Sequence, residues 1–581
     1  MEKQWILLKK GADFERIGKT FGISPILARL LRNRELITDE EIQNFLYGDF
    51  EALHKPSLMK HMREGAALLK KKIEEKKLIR IVGDYDIDGV MSAYILHSGL
   101  RKLGADADVK IPHRMKEGYG LNRTIIEECR EDGIDTILTC DNGIAAMEEI
   151  GLAREYGMTV IITDHHEVPY EDIENEKGER VRSYQLPPAD YIINPKQEDC
   201  EYLFSGICGA MVAYKLIEEL FSQYGLPKEQ VREYAEYAAF ATVGDIMELK
   251  DENRIMVKYG LKMLEDTKNP GMKALIRAQE LLGKPLSPYH IGFILGPCIN
   301  ASGRLDTAGK ALRLLESEGE EARELAESLC SMNEARKTLT KEAVEEAEGQ
   351  IEKLDLNKNN VLVLYLENCH ESLAGLVAGR IKEKYYKPTI VLTKSEEGIK
   401  GSGRSIPAYS MFEELSKCKE LFSRFGGHPM AAGMTLAGDD YQELSRQLNE
   451  KETLKPEDLR EQVTLDMELP FSYLTENLIE EMGLLEPYGQ GNPRPLFACR
   501  NVRILSKRTM GAAGQYVKLQ LEDSFESRME AVVFKNASPL MSPEVEELTI
   551  AYYPEFNEFR GKKNIQIIIE EYLVIAKESG K

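Results

Sequence analysis

The sequence predicts an α/β protein: a parallel-sheet lobe, a second α/β lobe joined to it by a long helix, and a small β-barrel after them. Three observations carry this. From about residue 78, short apolar runs alternate with amphipathic helical segments, the pattern of βαβ units. Residues 307–354 are rich in Glu, Lys, Ala and Leu and hold no proline, so they read as one or more long helices. After about residue 455, segments of alternating polarity separated by turn residues take over, as in a small barrel.

A chain of 581 residues exceeds what one hydrophobic core organises, and five regions follow in order. Residues 1–55 read as an N-terminal helical cap, with helical patterns at 24–33 and 39–45. The region 56–306 holds strand-like runs at 78–83, 135–140, 158–163 and 191–193, with helical periodicity at 90–103, 144–156 and 209–220. Residues 307–355 are the connecting helices. The second lobe, 356–454, has strand-like 361–366 and 389–393, a helical 373–385, and two glycine-rich segments near residues 401 and 426. In 455–581 the alternating segments are 516–521, 529–534, 548–553 and 565–569.

With 43% hydrophobic and 30% charged residues, the composition excludes disordered, fibrous and membrane classes. The start of the chain lacks a signal-type apolar stretch, and no uncharged run is long enough to span a bilayer, so a cytoplasmic location is expected. Nine cysteines at irregular spacing, without a Cys-x-x-Cys pair, argue against a disulfide framework and against structural zinc. The net charge of -22 opposes a nucleic-acid partner at first sight. Net charge, however, does not say where charges lie, and an enzyme that collects divalent cations carries clustered carboxylates.

The acidic and imidazole groups fall in telling places. Asp84, Asp86 and Asp88 follow the run ending at Gly83, Asp141 follows Cys140, and Asp164-His165-His166 follow Thr163. In an open parallel sheet, ligands bind beyond the carboxyl ends of the strands, so these groups are expected to converge. Carboxylates packed that closely repel unless cations lie between them, and a mixed Asp/His shell suits manganese or a similar ion better than calcium. A single Asp after a strand is often only a helix N-cap. Three strand ends together, one bearing His-His, favour a metal centre.

Asp84-Tyr-Asp86-Ile-Asp88-Gly89, Asp141-Asn142-Gly143, Asp164-His165-His166 and Gly244-Asp245 match, in order, four motifs that resemble those of the DHH phosphoesterase family. The resemblance implies a two-metal phosphodiesterase. It implies that Asp141 bridges two divalent cations, Mn2+ or Mg2+, with Asp86, His165 and Asp245 completing one site and Asp84 supplying the other. Arg80 stands where the pyrophosphatase branch carries a ligating His, which leaves the first ion with fewer protein ligands. Asp88 is expected to support a ligand or cap a helix, and His166 to contact the phosphate or the leaving oxygen. The mechanism that follows is in-line attack of a metal-activated water on phosphorus. In the second lobe, Gly401-Ser402-Gly403-Arg404-Ser405 and the run from Gly426-Gly427-His428 to Gly433 resemble the DHHA1 domain. Ser402, Arg404, Gly427 and His428 are therefore candidate substrate-binding residues, the glycines letting backbone N–H groups approach phosphate and Arg404 gripping it. Asn300-Ala-Ser-Gly303-Arg304 resembles a motif that places Arg304 on the phosphate path.

Smaller DHH relatives lack the long helix and the barrel. The segment 486–497, with Glu486, Tyr488, Gln490, Asn492, Arg494 and Phe497, resembles the approach to the OB-like domain of the RecJ branch. That resemblance implies a single-stranded-DNA-specific 5′-to-3′ exonuclease releasing mononucleotides in recombination and repair, alongside a single-strand binding protein and a RecQ-type helicase, with no membrane. The barrel offers Tyr488, Phe497 and Tyr516 for base stacking, with Arg494, Arg500, Arg503, Lys507 and Arg508 for phosphates, although barrel aromatics often only fill the core. The alternatives are a phosphodiesterase of short oligoribonucleotides or cyclic dinucleotides, a pyrophosphatase, and a non-catalytic replication scaffold. The presence of every motif carboxylate weighs against the scaffold.

Overall fold

The computed structural model describes residues 3–113, 120–174, 180–396, 398–559 and 561–575. The first sheet is five-stranded and fully parallel, in the spatial order Asp106–Lys110, Leu78–Val82, Thr136–Cys140, Thr159–Thr163, Tyr191–Ile193. Its central strands are mostly apolar and buried on both faces because helices cover the sheet on both sides. Ile79, Ile81, Leu138, Cys140, Ile161 and Ile193 enter one core, while Val82, Ile137, Val160, Ile162 and Ile192 enter the other. Each fully buried Ile or Leu contributes about 1.5–3 kcal/mol, so a charge at Ile161 would break this layer. Leu78–Val82 sits between the strand that follows it and the one after that, so the chain reverses its lateral direction there. A crevice opens at such a reversal, beyond the carboxyl ends of Leu78–Val82 and Thr136–Cys140.

The connecting region is a short helix, Gly309–Glu316, and a 35-residue helix, Gly319–Lys353, about 52 Å long at 1.5 Å per residue. The first half of the long helix buries Ala326 and Leu329 in the catalytic-lobe core. Its second half buries Ala343, Ala347 and Ile351 under the second lobe. That lobe is built on a mixed sheet ordered Phe422–His428, Ala431–Leu436, Gly398–Arg404, Thr389–Ser395, Leu362–Tyr365. The glycine-rich segments are strands of this sheet, not loops. Gly401 is required by packing, since a Cβ there would lie 2.4 Å from Leu392 Cδ2.

At the C-terminal end, strands Phe497–Met510, Tyr516–Glu522, Arg528–Val533, Lys562–Val574 and Glu547–Phe559 pair in sequence and close back on the first, forming a five-stranded barrel. The N-terminal helices pack against the barrel. Ser24 caps Pro25–Asn33, and Thr38 with Glu41 closes a capping box on Asp39–Tyr47. Leu27, Leu30, Leu31, Ile42 and Leu46 of these helices share one apolar cluster with Phe497, Leu519, Ile550 and Ile567 of the barrel. A strand absent from the sequence reading, Gln4–Leu7, pairs in parallel with Gln462–Leu465. Arg254, 1% exposed, ties this assembly to the catalytic lobe. Its guanidinium donates to the carbonyls of Phe45, Leu484, Leu485 and Glu486 at 2.7–3.0 Å. Among the described residues, no helix is long and apolar enough to cross a membrane.

Candidate metal centre and phosphate cleft

Each predicted ligand is set by local backbone chemistry. Asp86 caps the helix Ile87–Lys102, one carboxylate oxygen accepting from the N–H groups of Asp88 and Gly89 at 3.0 and 3.1 Å. The bland N-cap role and a ligand role therefore coexist on one side chain. Residue 89 has to be glycine, because a Cβ would lie 2.4 Å from Asp84 O. Asp141 adopts left-handed backbone geometry (φ 60°), a strained choice for a non-glycine residue. Asn142 stabilises that turn, donating to Val82 O and Cys140 O at 3.0 and 2.8 Å. Asp245 ends the helix Ala235–Gly244 and remains partly exposed.

These groups converge. Asp84, Asp86 and Asp141 offer carboxylate oxygens within 4.8 Å of one another; the carboxylate oxygens and ring nitrogens of Asp141, His165 and His166 come equally close, as do those of Asp88, His165 and Asp245. His165 Nε2 lies 3.0 Å from Asp141 Oδ1 and 3.9 Å from Asp245 Oδ2. Asp141 thus belongs to two of the groups. The division differs from the sequence expectation in one respect, since Asp86 clusters with Asp84 rather than with His165 and Asp245. Asp88 has both oxygens engaged by the N–H groups of Gly209 and Ala210, at 2.6 and 2.8 Å, and so anchors the helix Gly209–Gln223. Arg80 turns to Asp108 and Asp132, at 2.7 and 2.9 Å, and supplies nothing to the centre.

The electrostatics call for cations. Burial first, then Asp88, Asp86 and Asp84, push the Asp141 carboxyl well above the usual carboxylate range. Burial and Asp88 raise Asp86, and burial, Asp88 and Asp86 raise Asp245 to about 8. Ligands of two or more positive charges relieve all three at once. Burial lowers His165, keeping it the neutral imidazole that metals bind. The neighbouring His166 is opposite in character. Burial opposes its charge and is the largest single influence, but the 2.7 Å hydrogen bond from Nδ1 to Asp164 together with the charges of Asp164, Asp88 and Asp245 exceeds it and raises the group to about 9. Asp164 is itself fixed by the N–H groups of Ile144, His165 and His166. Asp164 is a positioning residue, readable in the motif but absent from the expected site.

A cavity of about 250 Å³, lined by Asp84, Tyr85, Asp86, Asp245, Asn300 and Arg304, opens from this centre. Tyr85 and Arg304 also line a second cleft of about 480 Å³ that reaches Ser402 and Arg404, so the two spaces share a wall. Arg304 Nη1 donates to Ser372 O at 2.7 Å, joining the lobes there. Gly303 lets the helix Gly296–Leu305 pack on Tyr85, since a Cβ would lie 2.4 Å from Tyr85 O. The cleft holds Lys400 and Arg424 as well, which sequence reasoning missed. Their signal was the strand alternation: Lys400, Ser402 and Arg404 occupy every second position of Gly398–Arg404. Arginine and lysine thus concentrate locally in an acidic chain, against Glu371 alone among the acidic cleft residues. Gly427 and His428 lie on the edge hairpin, paired with Ala432 and Ala431, and are not among the cleft-lining residues.

On the barrel, several expected DNA contacts are otherwise engaged. Phe497 is fully buried, and Lys507 donates to the carbonyls of Leu540, Ser542 and Val545. Arg500 and Arg503 pair with Glu468 and Glu522. Tyr488 donates to Met482 O, and Tyr516 packs against Phe534. Arg494 lies over the Tyr553 ring at 4.4 Å, and Arg508 is exposed.

Family comparison agrees with this architecture. Residues 78–242 match the DHH family N-terminal domain, 358–452 the DHHA1 domain, and 465–571 the RecJ OB domain. The chain is 36% identical over 562 residues to the single-stranded-DNA-specific exonuclease RecJ of Bacillus subtilis, covering 95% of this chain and 68% of that protein. It is 30% identical over 593 residues to the Escherichia coli enzyme of the same name, covering 98% and 99%. The chain belongs to the RecJ family. The Thermus thermophilus RecJ structure in complex with Mn2+ superposes with a TM-score of 0.82 at 28% identity, covering 98% of this chain and 79% of that one. The RecJ complex with Mg2+ from the same organism gives 0.77 at 26%, covering 98% and 78%. RecJ architecture accounts for the presence of the long helix and the barrel together.

Proposed function

We propose that this chain is a metal-dependent exonuclease that degrades single-stranded DNA from the 5′ end to 5′-mononucleotides in recombination and repair. The observation that carries this reading is the carboxylate–imidazole centre opening into an arginine- and lysine-lined cleft. Asp84, Asp86, Asp141, His165 and Asp245 would hold two divalent cations, manganese or magnesium, which when bound would supply positive charge for the phosphate and a water acidified towards neutral pH. Asp141, common to two of the clusters, would serve both cation positions. His166, kept protonated by Asp164, presents a cation to the phosphate or to the departing oxygen. Arg304, Ser402 and Arg404 hold a phosphate beside the centre, with Lys400 and Arg424 along the cleft wall. Gly427 and His428 meet the strand at the hairpin edge.

In this reading, residues 56–306 carry hydrolysis, 307–355 set the spacing of the lobes, and 356–454 hold the phosphate. Residues 455–581, braced by 1–55, guide the strand. The 5′-to-3′ direction, the mononucleotide products, the cytoplasmic location, and partnership with a single-strand binding protein and a RecQ-type helicase rest on the family resemblance. The test is a manganese-dependent digestion of single strands labelled at either end, with the matching duplex alongside. Early release of the 5′ label as mononucleotide, with the duplex intact, is expected. Duplex digestion, or release of the 3′ label first, would sink the proposal.

A further inference from the structure

Hydrolysis has no use for two thiols that meet where the catalytic lobe packs on the long helix. Cys298 is fully buried on the helix Gly296–Leu305, two residues before Asn300 and six before Arg304. Cys330 is half-buried on Gly319–Lys353. The two side chains share a hydrogen bond. Their surroundings confirm the approach. Asn333, three residues beyond Cys330 on the same helix, places Nδ2 3.5 Å from Cys298 Sγ, and Gln279 Nε2 donates to Cys330 Sγ at 2.9 Å.

We propose that Cys298 and Cys330 are a modification site, oxidised by hydroperoxide to a disulfide that staples the Arg304-bearing helix to the long helix and slows turnover. The contacts with Cys298 and Gln279 hold the Cys330 thiol below its ordinary value against burial, while the same contact and burial push Cys298 up, so Cys330 is the thiol of the pair that ionises first. Burial pushes Cys129, Cys140, Cys208, Cys369 and Cys499 up instead. The Cys330 thiolate attacks one peroxide oxygen; the O–O bond breaks, hydroxide leaves, and the sulfur is oxidised to a sulfenic acid. Cys298 sulfur then attacks that sulfur; the S–S bond forms, the S–O bond breaks, and the departing hydroxide takes the Cys298 proton as water. Closure brings the sulfurs to about 2.05 Å, shorter than any thiol hydrogen bond. Cys298 is drawn towards the long helix, and Asn300 and Arg304 on the cleft wall move with it. Displacements of about 1 Å in a positioning group are enough to slow a reaction by orders of magnitude.

The effect on rate rests on the nuclease reading; the thiol chemistry does not, so the two fail separately. The full chain, stripped of metal, is treated with hydrogen peroxide, quenched with catalase, and its thiols are counted after denaturation. Peptide mapping and manganese-dependent digestion of labelled single strands follow. The expected result is a fall from nine thiols to seven, a linked peptide pair containing Cys298 and Cys330, and a several-fold slower rate, all reversed by dithiothreitol. The variant Cys330→Ser keeps its thiol count and its rate under the same treatment. An unchanged count, a different linked pair, or a full rate in the cross-linked protein overturns the proposal.

Discussion

Substituting Glu236 by glutamine makes the stability of the catalytic lobe less dependent on pH. Glu236 lies near the start of the helix that ends at Asp245, is 5% exposed, and accepts a 2.8 Å hydrogen bond from Thr267 Oγ1. Burial raises its carboxyl from 4.5 to about 7, the hydrogen bonds from Thr267 and Tyr237 offsetting this only in part. The folded protein therefore retains a proton that the unfolded chain releases at lower pH. The stability this contributes is complete below pH 4.5 and is lost as pH rises through 7. A gap of roughly 2.5 pH units at 1.36 kcal/mol each amounts to about 3 kcal/mol. Glu236→Gln keeps the volume and the acceptor for Thr267 but cannot ionise. The variant should exceed the parent by only about 1 kcal/mol at pH 5 and by about 3 kcal/mol at pH 8, the latter roughly 6–12 °C for a unit of this size. Calorimetry in EDTA at pH 5, 6, 7 and 8 measures the difference. A difference that stays constant across that range would refute the assignment of a buried, protonated Glu236.

Three further outcomes follow from the site and its supports. Asp141→Asn should abolish manganese-dependent digestion, yet raise the melting temperature of the metal-free protein, because it removes the most strongly disfavoured carboxylate of the centre; an active or destabilised variant contradicts the ligand assignment. Arg424→Ala should weaken single-strand binding about tenfold at low salt and lower the salt dependence by about one phosphate contact. An unchanged salt slope would place the strand elsewhere. Arg254→Met leaves four carbonyls without their donor, at about 1–3 kcal/mol each, partly offset by no longer burying a cation whose pKa burial lowers to about 9. A net loss of about 3 kcal/mol, with earlier protease cleavage around residues 484–487, is expected, and a parental cleavage pattern would argue against the clamp.

The metal centre was legible because its chemistry is local. Each of Asp84, Asp86, Asp141 and His165 lies within four residues of the end of a strand marked by its own apolar run, and a parallel sheet leaves those ends one place to meet. The cleft was half legible: the glycines and Arg404 stood out, but Lys400 and Arg424 look like ordinary surface cations until the strand pairing aligns them. Elements whose partners are remote or polar went unread. Asp106–Lys110 is a charged edge strand without an apolar run, and the hairpin Tyr170–Glu174 with Arg180–Tyr184 has almost no buried face. Phe497 read as a stacking residue because sequence alternation cannot say which side of a barrel strand faces inward when the neighbouring N-terminal helices are unknown.

The pairing of Gln4–Leu7 with Gln462–Leu465 has a consequence for biosynthesis. This segment finds its strand partner only after some 455 further residues have been made, an interval of roughly 20 to 90 s at typical elongation rates. Until then Leu27, Leu30, Leu31 and Ile42 have no barrel to pack against. The helices Pro25–Asn33 and Asp39–Tyr47 thus wait with an apolar face open, while the catalytic sheet, complete within its own stretch of chain, is free to fold first.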